Sequence, residues 1–134
     1  MFDLSGINWL AVIVAAVAHM IIGAVWYGPL FGARWQAATG RTQAEMGSGM
    51  SAIAISAVAS LVMAAALALL LTALNTVDLP TGLAVGVLAG VGFVGTSTVI
   101  NGSFENRAPL VTGLFVAYEV IAIAVMGAIL GAWQ

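Results

Sequence analysis

The sequence predicts an all-α integral membrane protein, a four-helix bundle with both termini on the same, non-cytoplasmic side. Three observations carry this. Of 134 residues, 63% are hydrophobic and 6% are charged, with a mean hydropathy of +1.15; a soluble domain has about 25% charged residues. The apolar residues gather in four runs, at about 7–28, 50–74, 80–100 and 108–133. Each reaches the roughly 20 residues that a helix needs to cross about 30 Å of hydrocarbon. All three basic residues, Arg34, Arg41 and Arg107, fall between runs. Backbone groups cannot stay unpaired in lipid, so the runs read as helices. They form a single transmembrane domain over residues 1–134, with the lipid bilayer as its principal surroundings. Without lysine there is no electrostatic basis for nucleic-acid binding. Without cysteine, disulfides, thiolate chemistry and Cys-based metal sites are excluded.

The first span carries Ala16-Val17-Ala18, which imitates a signal-peptide cleavage site. The residues before it hold Asp3 and no Lys or Arg, whereas a signal peptide needs a basic start; the span is expected to be retained. Within it, Asn8, Val12, Ala15, His19, Gly23 and Trp26 recur at helical spacing and share one face. The connection 29–49 is expected to be interfacial. Its first half, from Pro29 through Phe31 to Trp35, suits a short helix along the membrane surface. Thr42-Gln43-Ala44-Glu45 fits a capping box, and Gly47-Ser48-Gly49 suits a flexible stretch. The segment reads as a connector in preference to a gate.

The second span places Ser56, Ser60 and Ala64 at intervals of four. The third repeats the pattern with Gly82, Gly86 and Gly90, followed by Gly92 and Gly95. Small residues so spaced let helix backbones approach closely. Because a short turn at 75–79 joins these two spans, they are expected to be antiparallel neighbours, with the glycines packed on Ser56, Ser60 and Ala64. A glycine face for a homodimer is the alternative. The fourth span ends with Gly127 and Gly131.

Arginine bias sets the orientation. Both arginine-bearing loops lie on one side of a four-span chain, and the tail, the 75–79 turn and the C-terminus hold no Lys or Arg. That side is expected to be cytoplasmic. Interface anchors agree, with Trp9 and Trp133 outside and Trp26, Tyr27 and Trp35 inside.

Two ionisable residues remain deep within the runs, His19 and Glu119. Burying an acid near the bilayer centre costs about 2.5–3.5 kcal/mol on insertion scales, so such a group faces protein or water and has a partner. At about 1.5 Å per residue, His19 lies roughly 14 Å and Glu119 roughly 17 Å from the inner ends of their spans. Their depths match. Glu119 is expected to face inward and to bond His19 first, with Thr112 or Tyr118 next. Glu105 and Arg107, in the short inner loop, are expected to pair with Arg34 or Glu45 across the bundle.

The opening Asn8-Trp9, then Gly23, Trp26-Tyr27-Gly28-Pro29, Phe31-Gly32 and Trp35, resemble the bacterial membrane family called domain of unknown function 1761. The likeness continues through Phe104-Glu105, Arg107, Pro109, Tyr118 and the closing run from Met126 to Trp133. It implies a small four-span helical protein of the bacterial cytoplasmic membrane and supplies no activity. His19 and Glu119 lie outside the motif.

An enzyme finds no support: there is no metal-ligand pair at helical spacing, no nucleophile elbow and no phosphate-binding loop. A pigment or haem held by His19, one turn after Ala15, is a minor reading, and the sequence names no cofactor. The glycine-rich spans, and loops too short for an extramembrane domain, favour a non-enzymatic accessory or structural subunit of a membrane complex. A small homo-oligomeric transporter or channel using Glu119 and His19 follows closely. Thr96, Ser97, Thr98 and Asn101 would add polar groups to its inner half.

Overall fold

The computed structural model describes residues 2–40, 49–75 and 78–133, and among these it is helical without strands. After a 3₁₀ turn at Leu4–Gly6 come α1 (Trp9–Val25), a π-helical turn (Trp26–Leu30) and the short α2 (Gly32–Thr39). Next are α3 (Met50–Ala73), α4 (Leu79–Ala89), a second π-helical turn (Gly90–Gly95), α5 (Thr96–Phe104) and α6 (Pro109–Ala132). Joined through their π turns, these give four helices long and apolar enough to cross a membrane: Trp9–Leu30, Met50–Ala73, Leu79–Phe104 and Pro109–Ala132. The third is longer than expected because Asn101–Phe104 continue the helix.

Local chemistry fixes the ends. Asn8 caps α1 by accepting from the Ala11 amide at 3.2 Å, and its Nδ2 donates to the Trp133 carbonyl at 2.7 Å. One side chain thus satisfies both a helix start and a helix end, and it holds the two ends of the chain together at one end of the bundle. Asp78 caps α4 by accepting from the Thr81 amide. Asn75 and Asn106 take left-handed φ values of 55° and 53° at the ends of α3 and α5, as asparagine tolerates. The expected short helix after Pro29 is present as α2, and Arg34 on it shares the bundle end with Arg107. The expectations for Arg41, the capping box at 42–45, Glu45, Gly47 and Ser48 lie outside the described residues.

The arrangement centres on α6. On one flank α1 and α3 pack together and against α6; on the other, α4 lies along α6. Consecutive α3 and α4 scarcely touch, which corrects the expected glycine partner. A Cβ on Gly82 would meet the Gly127 carbonyl and the Gly131 backbone, one on Gly86 would lie 2.5 Å from the Ile123 carbonyl, and one on Gly90 3.0 Å from Val120 Cα. Glycine on both helices is what lets them touch: Gly82 faces Gly127 and Gly131, whereas Ser56 is exposed and Ser60 faces α1. In lipid, backbone proximity outweighs sequence adjacency in choosing partners, because apolar side chains gain little by leaving hydrocarbon for a helix surface.

The core occupies the half nearest the termini. Ala11, Ala15, Ala64, Ala68, Leu71, Met126 and Leu130 are all fully buried there, from α1, α3 and α6.

Candidate functional site: an intramembrane histidine–glutamate pair between two cavities

The polar stripe of α1 faces α6 along its length. Trp26 Nε1 donates to the Leu114 carbonyl at 3.1 Å, and a Cβ on Gly23 would lie 2.9 Å from Tyr118 Oη. Between these contacts and the apolar core sits His19, which is 9% exposed. Its Nδ1 is 2.8 Å from Ser60 Oγ on α3, and its Nε2 is 3.4 Å from Glu119 Oε2 on α6. Tyr118 Oη donates to the His19 carbonyl at 2.9 Å and stands 3.3 Å from either ring nitrogen. The expected partner of Glu119 is therefore in place.

The network accepts two proton arrangements without moving a heavy atom. With a neutral ring, the Ser60 hydroxyl donates to Nδ1 and Nε2–H points at the carboxylate. With a charged ring, Nδ1–H donates to Ser60 Oγ, since a hydroxyl both gives and accepts. The 3.4 Å contact exceeds the usual range of about 2.7–3.2 Å, so the pair is an attraction between neighbours with room to rearrange. Both ring nitrogens are engaged and Ala15 is fully buried; a macrocycle on His19 would have to displace this network. Among the described residues, no three His, Asp or Glu side chains come together as a metal site would require.

Thr112 does not join the pair. It shares the α5-facing side of α6 but packs against Gly102, where an added Cβ would lie 2.6 Å from Thr112 Oγ1. Seven residues place it about two turns, roughly 10 Å, from Glu119. Ser60, expected to serve helix packing, is instead a direct partner of His19. Glu105 pairs with Arg107, two residues on, in place of Arg34. The Arg107 guanidinium also lies over the Phe115 ring at 4.9 Å, a cation–π geometry.

The interfacial motif forms a wall of the site. Trp26 packs on Phe31 at 4.5 Å between ring centroids, and Tyr27 on Trp35 at 4.6 Å. Tyr27 also meets Phe115 and Tyr118 edge-on at 5.9 and 5.5 Å. Pro29 lies inside the π turn that swings this cluster onto α6, and Gly32 is small because the Tyr27 carbonyl would lie 2.7 Å from a Cβ there. Sequence reasoning placed Tyr27 as an anchor at the inner interface; its helical spacing from His19, eight residues on, was the available signal.

Two cavities meet at Glu119, Tyr118 and Tyr27. One, of about 360 Å³, lies between α5 and α6 and is lined further by Thr98, Asn101, Phe115 and Arg107, reaching the arginine-bearing end. The π turn at Gly90–Gly95 divides the third span, with Gly90 against Val120 of α6. Gly95 is required there, since a Cβ would lie 2.9 Å from the Gly90 carbonyl. The other, of about 730 Å³, is a largely apolar groove between α1 and α3 with His19 and Ser60 in its floor. Such π-helical insertions often accompany functional sites.

The family model for "Protein of unknown function (DUF1761)" matches residues 10–131. The chain belongs to this DUF1761 family. Among curated proteins and solved structures there is no match. The DUF1761 match encloses both the aromatic motif and the His19–Glu119 pair, and the family description carries no activity.

Proposed function

We propose that this DUF1761 protein is a small transporter whose His19–Glu119 pair forms an intramembrane proton site open to the arginine-bearing end. The observation that carries this is the cavity of about 360 Å³ that runs from Glu119 past Thr98 and Asn101 to Arg107. A purely structural clasp would be served by a dry, closed contact. A carboxylate that is 20% exposed, beside a histidine with two workable proton arrangements, suits proton exchange with that cavity. The arginine rule favours the cytoplasm for this end, and the family resemblance favours a bacterial cytoplasmic membrane. The transporter reading is non-enzymatic.

The test is proton flux in proteoliposomes under an imposed pH gradient. Wild type is expected to dissipate the gradient, and Glu119→Gln to do so at the rate of empty vesicles. Equal flux in both would sink the proposal.

The accessory-subunit reading ranks first on sequence alone and second once the cavity is considered. What favours it is the outward face of α3, where Ile55, Val58 and Val62 are 69%, 62% and 64% exposed. Lipid covers such a face as readily as a partner does. Co-purification of a stoichiometric membrane partner from mild detergent would restore this reading to first place.

A further inference from the structure

The α1–α3 groove differs from the polar cavity in its walls and in where it opens. Its rim residues Val17, Ile21 and Ile53 are 48%, 58% and 50% exposed. All three belong to membrane-crossing helices, so the rim faces hydrocarbon. Met20 and Met63 line the interior, and unbranched thioethers adapt to ligands of irregular shape. A volume of about 730 Å³ falls within the roughly 300–1,000 Å³ of small-molecule pockets. Among the described residues the floor holds one acid, Glu119, beside His19, and no Lys or Arg lines the groove. A molecule entering from the bilayer must be apolar over most of its surface, and with the His19 ring neutral any charge it brings to this floor must be positive.

We infer that the groove binds a lipophilic cation, with its charge against Glu119 and its apolar body between α1 and α3. This rests on the transporter reading and names its substrate class. The Tyr27 and Tyr118 rings border the same floor and offer π faces to a cation. Because His19 holds Glu119 only through the long 3.4 Å contact, an organic cation can take its place. Cation and proton then compete for one carboxyl: binding to the protonated form releases its proton, and that proton leaves through the cavity toward Arg107. The exchange conserves charge for a monovalent ligand.

Calorimetric titration of the full chain in nanodiscs, with tetraphenylphosphonium as the probe, tests this. Tetraphenylborate serves as an anion of the same shape. Saturable binding of the cation is expected, weakening as pH falls, with the borate bound about tenfold or more less tightly. Glu119→Gln should lower cation affinity about tenfold or more, and Ile53→Trp, which narrows the rim, should also lower it with the melting temperature unchanged. Equal affinity for both probes, or unchanged affinity in Glu119→Gln, would overturn the inference. So would a dimer that seats a second copy in the groove and binds no cation. Cation binding that depends on Glu119, in a protein that moves no protons even when the cation is supplied, would support the ligand site and remove the proton-transport reading.

Discussion

The half of the bundle nearest the termini and the half bearing Arg34 and Arg107 are built from the same helices and packed in opposite ways. In the first, glycine meets glycine across α4 and α6, and alanines from α1 and α3 close around Leu71, Met126 and Leu130. In the second lie both cavities, the His19–Glu119 pair and the π turn around Pro29. The second π turn, Gly90–Gly95, sits at the junction of the two. Hydrocarbon offers apolar side chains almost the same surroundings as a protein core, so a membrane bundle coheres through close contact and hydrogen bonds. Close contact uses up space. A site that must hold a proton or a ligand needs that space, and concentrating the contacts in one half leaves the other free to supply it.

This contrast can be broken, and the largest effects should fall in the packed half. Leu71→Ala is expected to destabilise by about 2 kcal/mol, at the low end for core truncations because lipid is itself apolar; thermal unfolding in detergent would show it. An equal loss for Leu88→Ala, at a position 67% exposed, would deny the packed half its special status.

Next comes the glycine seam. Gly82→Ala should cost about 1–3 kcal/mol by overpacking against Gly127. Gly113→Ala, with nothing within 4 Å of the new Cβ, should be neutral or slightly stabilising, since alanine is the better helix former. If the two substitutions melt alike, α4 and α6 are not in backbone contact.

Smaller changes are expected in the hollow half. Tyr118→Phe removes the donor to the His19 carbonyl and should cost about 0.5–1.5 kcal/mol. Glu119→Gln should change stability by less than about 1 kcal/mol, because Gln keeps hydrogen bonding at a contact that is already long. The flux measurement, not the melting curve, is where Glu119→Gln should tell. A melting loss as large as that of Leu71→Ala would make the pair a structural clasp.

Much of the fold was legible in the residues. The four apolar runs gave the helices, the α1 stripe from Asn8 to Trp26 gave the face turned to α6, and matching depths gave the His19–Glu119 pairing. The glycine repeat announced a close contact but not with whom. Gly127 and Gly131 were visible on the fourth span, yet adjacency in the chain pointed to Ser56 and Ser60. Thr112 shared a face with Glu119 without reaching it, and Tyr27 read as an anchor because aromatic rings at a helix end usually are.

Composition and periodicity by themselves determined that this chain is helical, crosses a membrane four times by length, and carries two ionisable groups at a common depth. These follow from the solvent: hydrocarbon forbids unpaired backbone and makes each buried polar group a marked exception. Only the tertiary structure decided that α6 is the hub, that Ser60 completes the histidine's hydrogen bonds and that two cavities converge on Glu119. Those depend on which helices touch. In lipid that choice is made by where backbones fit within a few ångströms of one another, a property of two surfaces together that neither segment's sequence contains.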